Sequence, residues 1–314
     1  MSNLATRVLV AVVAIPLILL LTMAGGFYFF GFVTLLSSLA LREFFDIAER
    51  KGVYPQVVPG LLLGALVNAV FLYYKGKYAL LTLLADSGVA VPFASMAQWL
   101  LILLLIFIPF MLALELFRTR GSPLLNVSTT VTGVLYVSLF LGCLIGLREL
   151  FVPEDFPVYR FFDIQGVAVP DQVAETIYRW GGITVIAVFV SVWVCDSAAY
   201  FAGRAFGRHK LFERVSPHKT WEGAITGFLA SMMTFFAAGV LFLPYMTTTN
   251  ALVCGGIVGF FGQIGDLVES LFKRDAGVKD SSSLVPGHGG ILDRFDSLLF
   301  VAPLVFLYLD FIVF

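Results

Sequence analysis

Charged residues are scarce in this sequence, and their scarcity is the first constraint on its fold. Asp, Glu, Lys and Arg make up 13% of the 314 residues, whereas 59% are hydrophobic. A soluble globular domain carries about 25% charged residues. Neither sign dominates, since the formal net charge is -1, and this excludes the basic surplus typical of nucleic-acid-binding proteins. The composition therefore indicates an all-α, polytopic integral membrane protein with no nucleic-acid partner.

Cysteine is also scarce, and the sequence shows no clear signal-peptide cleavage site. Cys143, Cys195 and Cys254 are isolated within apolar runs, so neither a disulfide framework nor a CxxC metal site is available. We expect all three to be buried as small hydrophobic side chains. No small-residue cleavage pattern follows the first apolar run, residues 8–23, and we interpret this run as an uncleaved membrane span.

Long apolar runs are what the sequence has in abundance. A bilayer core of about 30 Å needs roughly 20 apolar residues per helix, and by that measure we predict nine spans. The stretch 78–94, interrupted by Asp86 and Pro92, is ambiguous, and we interpret it as an interfacial loop. The predicted spans cover residues 8–23, 27–45, 58–74, 99–117, 127–147, 183–203, 223–243, 252–272 and 298–314.

The segments between the predicted spans alternate in charge, and this alternation predicts an orientation. Basic residues follow the even-numbered spans, as in loops 204–221 and 273–297, while the segment after span five is rich in acid. Lys75 and Lys77 are the exception. Under the positive-inside rule the N-terminus is cytoplasmic and the C-terminus lies outside. We therefore divide the chain into an N-terminal scaffold with possible oligomer contacts (1–150), a non-cytoplasmic loop (151–181) and a catalytic transmembrane domain with two cytoplasmic loops (182–314).

Asp196 and Asp266 lie inside predicted spans near their cytoplasmic ends. Asp196 precedes Gly203 by seven residues, and Asp266 precedes Lys273 by seven, so each lies about 10 Å from the cytoplasmic end of its helix. An ionisable residue at such a depth costs several kcal/mol unless it faces a partner, water or a metal. Helix-bridging polar contacts are the structural alternative. Because both carboxylates fall in the same leaflet, we favour a functional site.

Further carboxylates should join this site. Asp293 and Asp296 open the last span from the cytoplasmic side, and Glu269 shares the polar face of Asp266 at helical spacing. Oxygen-rich clusters of this kind suit Mg²⁺ rather than Zn²⁺. Since Mg²⁺ usually takes one or two carboxylates plus substrate phosphates, the excess indicates a second cation, divalent or K⁺.

Two basic segments have the composition expected of phosphate binders. Loop 204–221 combines several cationic residues with Ser216 and Thr220, either of which could cap the following helix and direct its positive end at an anion. The turn PGHGG, residues 286–290, is no nucleotide-binding P-loop, because no Lys-Ser/Thr pair follows its glycines. Its glycines would instead permit tight turns and close approach of backbone N–H groups to phosphate.

Together these segments resemble a known family. Residues 270–296 contain S-x-x-K-R-x4-K-D, then PGHGG, then D-R-x-D, a pattern similar to the signature of CDP-diacylglycerol synthases, also called phosphatidate cytidylyltransferases. WVCDSAAYFAGRAFGRHKL and SPHKTWEGA add to the resemblance upstream, so it covers the C-terminal third to 40% of the chain. One departure is the stretch SSSLV (281–285), where the family generally has a glycine-containing, leucine-ending segment. We expect altered local packing there.

The resemblance implies that CTP and phosphatidic acid react, with Mg²⁺, to give CDP-diacylglycerol and pyrophosphate. It further implies an enzyme of a bacterial inner membrane, with its site facing the cytoplasm, and we expect a homodimer. The expected catalytic residues are Asp266, Asp293, Lys273, Arg274 and His288. The expected substrate-binding residues are Ser216, Lys219, Thr220, Glu222, Lys279, Asp280, Gly287, Gly289, Gly290 and Arg294. The expected metal ligands are Asp196, Asp266, Glu269, Asp293 and Asp296.

Two other functions remain open on the sequence alone. A CTP-dependent enzyme acting on a polyprenol or ether lipid would have similar headgroup chemistry. A cation-coupled transporter also places carboxylates within a helix bundle, but the sequence contains no evident inverted repeat, and its charge clusters on one side.

Overall fold

A computed structural model of the protein describes residues 3–73, 77, 95–153, 156–162, 169–287 and 289–314. Within these ranges the chain folds into nine long helices, a 3-10 turn at Val158–Arg160 and one β-hairpin. The helices are α1 Asn3–Ala24, α2 Gly26–Glu49, α3 Val57–Phe71, α4 Met96–Glu115, α5 Pro123–Glu149, α6 Asp171–Phe206, α7 Trp221–Phe242, α8 Thr248–Asp275 and α9 Leu292–Val313. Helices α5 and α9 include π-helical turns at Val134–Leu139 and Leu309–Val313.

The membrane character of the fold is confirmed. Seven of the described helices are long and apolar enough to cross a bilayer, namely α2 and α4 to α9. Two more apolar stretches, Val8–Ala24 and Val57–Phe71, are shorter. The count of nine spans and the orientation of the termini stay predictions. The ambiguous stretch 78–94 lies outside the described residues, as do Lys75, Glu154, Asp155 and the segment 163–168.

Helices α6 and α9 begin at least six residues before the apolar runs that the sequence predicts. Helix α6 begins at Asp171, within the segment 151–181 that we had assigned to a non-cytoplasmic loop, and α9 begins at Leu292 instead of residue 298. The part of that segment from residue 171 onward is therefore helical. In both cases an acidic residue lies in the first turn, where its negative charge interacts favourably with the positive end of the helix dipole. A hydropathy pattern detects only the apolar part of a helix, so it misses such polar first turns.

A small β-hairpin lies in the predicted loop 204–221. Strand β1, Lys210–Phe212, pairs antiparallel with strand β2, Ser216–Thr220. The last residue of β2 is also the cap of α7, because Thr220 Oγ1 accepts a hydrogen bond from the N–H of Gly223 at 3.3 Å. The hairpin therefore fixes the start of α7, and of the two predicted caps it is Thr220 that performs this role.

Small residues let the helices of the C-terminal half approach closely. Helix α7 packs against α6 and α8, and α9 packs against α8 and α5. A Cβ atom at Gly227 would lie 2.8 Å from the Cys195 carbonyl of α6, and one at Gly255 would lie 2.6 Å from Met232 Cα of α7. The GxxxG pairs in α7 and α8 thus have the packing role expected from sequence. All three cysteines are buried and free, as expected.

The contact between α7 and α8 yields a prediction with an internal control. Replacing Gly255 by alanine should force α8 away from the backbone of Met232, at a cost of about 1–3 kcal/mol. Gly256 is the matched control, since the nearest atoms to a Cβ there belong to the Phe228 ring at 3.8 Å. We expect the Gly255→Ala protein in detergent to melt several degrees below wild type. Gly256→Ala should melt at or above it, because alanine favours the helix. Equal melting temperatures would contradict this account of the interface.

Candidate active site

A polar cavity of about 730 Å³ lies where α6, α8 and the hairpin meet the first turns of α7 and α9. Its wall contains aspartates from three helices and cationic residues from five elements of the fold, namely α6, β1, β2, α8 and α9. Nine of the residues singled out from sequence line it: Asp196, Lys219, Thr220, Asp266, Lys273, Asp280, Asp293, Arg294 and Asp296. The structure therefore brings together residues separated by up to 100 positions in the chain.

Three aspartates in the cavity lie close enough to repel one another. Asp196 comes from α6, Asp266 from α8 and Asp296 from α9. The cation nearest to them is Lys219, whose Nζ lies 2.6 Å from Asp266 Oδ2. Lys219 comes from strand β2, so the hairpin supplies the counter-charge to the aspartates. Arg294 of α9 lines the same cavity, so two cationic side chains, Lys219 and Arg294, face these three carboxylates.

Asp293 has a different environment, because protein donors occupy both of its oxygens. Its Oδ1 accepts from Lys273 Nζ at 2.6 Å. Its Oδ2 accepts from the N–H of Gly290 at 2.7 Å and from the N–H and hydroxyl of Ser281, each at 3.0 Å. Only 4% of the Asp293 side chain is exposed. Asp293 therefore anchors the loop between α8 and α9 while contributing to the cavity wall.

Lys273 bridges Asp293 to a second, fully buried acid. Its Nζ lies 2.5 Å from Glu269 Oε2, and the Glu269 side chain has no exposed surface. A buried carboxylate needs a nearby charge or donor, and Lys273 is placed one helical turn away to supply it. Glu269 is therefore behind the cavity wall, and Lys273 separates it from the open space.

Several cationic residues of the cavity were not identified from sequence. Arg204 at the end of α6, Lys210 of β1 and His218 of β2 all line it. They lie in a segment whose charge alone fits the positive-inside rule. The hairpin pairing of Lys210 with Thr220 brings Lys210 and His218 to the site, and Arg204 reaches it from the last turn of α6. The sequence of β2, SPHKT, shows no alternation of apolar and polar residues, and five residues are too few to establish a strand by pattern.

Other described residues that were predicted to bind substrate or to act in catalysis do not line the cavity. Glu222 accepts hydrogen bonds from His209, with 2.7 Å between Oε1 and Nδ1. Arg274 donates to the carbonyl of Val278 at 3.2 Å. Gly290 directs its N–H at Asp293. His288 lies outside the described residues. The cavity lining also does not include Ser216, Glu269, Lys279, Gly287 or Gly289.

Glu43 of α2 is a further residue that the sequence reasoning missed. Its side chain is buried and contacts the loop that precedes α9, through Ser281 and Ser282. Its neighbours in the sequence do not mark it, because Arg42 precedes it directly and Asp46 follows three residues later, so Glu43 is one of several charged residues near the end of α2. We had assigned that region to a scaffold and did not question its acid.

The described residues do not by themselves form a complete metal site. In the ranges that the structure describes, no three His, Cys, Asp or Glu side chains form a ready-made metal site. The aspartates nonetheless form an oxygen-rich set, which is the donor type that Mg²⁺ takes. Because Mg²⁺ commonly completes its coordination with substrate phosphates and water, the donor set fits a cation that binds together with a phosphorylated ligand.

Comparison with known proteins identifies a matching family and several relatives. The sequence matches the Cytidylyltransferase family over residues 5–312. A phosphatidate cytidylyltransferase of Synechocystis sp. is 32% identical over 303 residues, which is 96% of this chain and 95% of the relative. Proteins of the same name from Haemophilus influenzae and Staphylococcus aureus are 46% identical over 133 residues and 48% over 122 residues, or 39% and 38% of this chain and 44% and 46% of the relatives. The chain belongs to the cytidylyltransferase family.

Proposed function

We propose that the protein is a phosphatidate cytidylyltransferase, a membrane nucleotidyltransferase that converts CTP and phosphatidic acid to CDP-diacylglycerol and pyrophosphate. The main support is the cavity described above, in which aspartates and cationic residues meet near the ends of apolar helices. Such a site suits two phosphate-bearing substrates, one from water and one from the leaflet. The full-length similarity to a relative of that name supports the same reaction.

The proposed reaction is a direct in-line displacement. An oxygen of the phosphatidate phosphate attacks the α-phosphorus of CTP, and a new P–O bond forms. The bond from the α-phosphorus to the oxygen bridging to the β-phosphorus breaks, so that pyrophosphate leaves with that electron pair. The phosphate monoester is already an anionic nucleophile near neutral pH. No serine or cysteine nucleophile is needed, and the task of the protein is to position the reactants and neutralise their charge.

Mg²⁺ is the proposed cofactor, and the residues proposed to hold it are Asp196, Asp266 and Asp296. When bound, the cation supplies charge neutralisation of the reacting phosphates. Asp293, which the sequence suggested as a principal ligand together with Asp266, already accepts four hydrogen bonds. We therefore propose that Asp293 mainly anchors the loop and Lys273. A second cation, divalent or K⁺, remains part of the proposal, and Glu269 would help to position it from behind Lys273.

Cationic residues are proposed to bind the phosphates. Lys219 is next to Asp266, and the start of α7 follows it directly, so both present positive charge to the same space. Arg294 and Lys273 line the cavity from the side of α9 and α8. Holding the nucleotide phosphates between these groups would place the α-phosphorus over the aspartates.

Location, assembly and substrate range complete the proposal. The site faces the cytoplasm of a bacterial inner membrane, because the basic loops flank it and CTP is cytosolic. The homodimer remains a prediction. Transfer to a polyprenyl or ether-lipid phosphate is the main alternative, since a cavity lined by charged residues suits a phosphate headgroup and does not distinguish the lipid chains. Cation-coupled transport is the weaker alternative, because the cationic residues of the cavity suit polyphosphate.

The reaction itself is the first test. Purified protein in detergent–phosphatidate micelles with Mg²⁺ and radiolabelled CTP should form a labelled lipid and release pyrophosphate. Matched micelles with polyprenyl phosphate or an ether-linked phosphatidate distinguish the lipid alternatives. Product from polyprenyl phosphate alone would replace the proposed substrate. An absence of any labelled lipid from folded protein would exclude cytidylyl transfer.

The role proposed for Asp266 is tested by Asp266→Asn. An amide keeps the shape but removes the charge that attracts a cation, so we expect kcat/KM to fall by about 100-fold or more, corresponding to several kcal/mol of lost charge stabilisation. Asp46→Asn is the matched control, because Asp46 lies on α2 in an exposed pair with Arg42. Activity of Asp266→Asn within threefold of the control would contradict the assignment.

Variants of the Glu269–Lys273 pair distinguish the contribution of Lys273 to stability from its contribution to catalysis. Lys273→Met should destabilise the protein by about 3–5 kcal/mol, because it leaves Glu269 buried without a counter-charge. The double variant Lys273→Met/Glu269→Met removes both charges and should recover most of the melting temperature. It should stay inactive, since Asp293 still lacks its lysine. Recovery of stability together with activity in the lipid assay would show that Lys273 has no part in the reaction.

A further inference from the structure

Glu43 of α2 is a buried acid with an unusually complete set of donors. Only 4% of the residue is exposed. Its Oε1 accepts from Ser282 Oγ at 2.6 Å and from the N–H of Ile291 at 3.0 Å. Its Oε2 accepts from Ser281 Oγ and from the N–H of Leu292, each at 2.8 Å. All four donors belong to the two ends of one segment, residues 281–292.

These contacts supply what the start of α9 lacks. Helix α9 has no side-chain cap of its own at Ile291, and the first N–H groups of a helix have no partner within it. Glu43 takes two of them from a different helix, and its negative charge also favours the positive end of the α9 dipole. Helix α2 therefore caps α9 in trans.

The same contacts lead directly to Asp293. Ser281 donates its N–H to Asp293, and its hydroxyl lies between Glu43 and Asp293. A hydroxyl has one hydrogen to donate, so the two carboxylates share it. Gly290 completes the arrangement, because a Cβ atom there would clash with both Ser281 Oγ and Glu43 Oε2. The last glycine of PGHGG thus makes room for Glu43.

Helix α2 also holds the other end of this loop. Lys51, just beyond α2, donates to the carbonyl and carboxylate of Asp275 at 3.1 and 3.2 Å. Phe44, next to Glu43, packs its ring edge-on against Phe272 of α8 with 6.0 Å between centroids. Asp275 ends α8, and Ile291 precedes α9. Both ends of the loop between α8 and α9 are therefore fixed to α2.

We propose that Glu43 is a positioning residue of the active site: by holding residues 281–282 and 290–292, it sets the place of Asp293 and of the Lys273 bound to it. The catalytic consequence rests on the proposed function, whereas the positioning contact does not. Ser281 and Ser282 of the SSSLV stretch, where this sequence departs from the family pattern, are then contact residues for Glu43. Glu43 itself does not line the cavity.

Glu43→Gln is the variant that tests this. The amide keeps the volume of Glu43 but directs a donor at backbone N–H groups that need an acceptor. We expect kcat for CDP-lipid formation to fall by about 10- to 100-fold, the range typical of residues that orient the ligands of a metal site. The KM for CTP should change less than threefold. Glu49→Gln is the matched control, since Glu49 ends the same helix with an exposed side chain.

Hydrogen exchange of the substrate-free protein provides a readout independent of activity. In Glu43→Gln, the peptide covering residues 289–293 should exchange at least tenfold faster than in wild type, while α6 and α7 exchange at the wild-type rate. A purely structural role would instead lower the melting temperature and raise exchange throughout the bundle. Ser282→Ala is a milder second variant, should Glu43→Gln not fold. Combined with Glu43→Gln, it should add no further loss of kcat, because both act through one contact.

The outcomes separate the two proposals. Wild-type exchange at 289–293 in Glu43→Gln, or a rise spread over all helices, would overturn the positioning role. Fast local exchange with wild-type kcat would overturn its link to the reaction. If the wild-type protein forms no CDP-lipid, the proposed function fails, and the exchange data still decide whether Glu43 holds the loop.

Discussion

A carboxylate held among membrane-spanning helices needs donors or a counter-charge, because hydrocarbon offers neither. The acids of the C-terminal half meet this constraint in different ways. Glu269 is paired with Lys273, and Asp293 takes four hydrogen bonds. Asp196, Asp266 and Asp296 instead line the cavity, where Lys219 contacts Asp266. The first group holds the structure in place, and the second is the set proposed to hold a cation with its phosphate ligands.

Close helix packing makes this arrangement possible. Glycines at the contacts of α7 with α6 and α8 let three helices approach until backbone touches backbone, so side chains from different helices reach one another in a small volume. The hairpin contributes in a similar way, since Thr220 caps α7 and the adjacent Lys219 reaches Asp266. Secondary structure therefore determines which charges meet, and a shift of one helical residue would separate them.

The sequence predicted the membrane class, the family and all five cavity-lining aspartates, because apolar runs, intramembrane acids and a family motif are local signals. It did not predict the hairpin, whose strands are too short to show a period, or the contribution of Arg204, Lys210 and His218. Nor did it reveal that Asp293 is already bound by protein donors. Glu43 escaped for a different reason: its partners are more than 200 positions away in the chain, and no local pattern reports such a contact.

The contact between Glu43 and the segment 281–292 has a consequence for how the protein is made. Helix α2 is synthesised before the segment 281–292, and Glu43 lacks the four donors described above until that segment has been made. Contacts of such long sequence separation form late and slowly. The active-site loop therefore reaches its final arrangement only when the bundle closes. A partly synthesised chain would be incompletely assembled at the site, however many of its helices are already inserted.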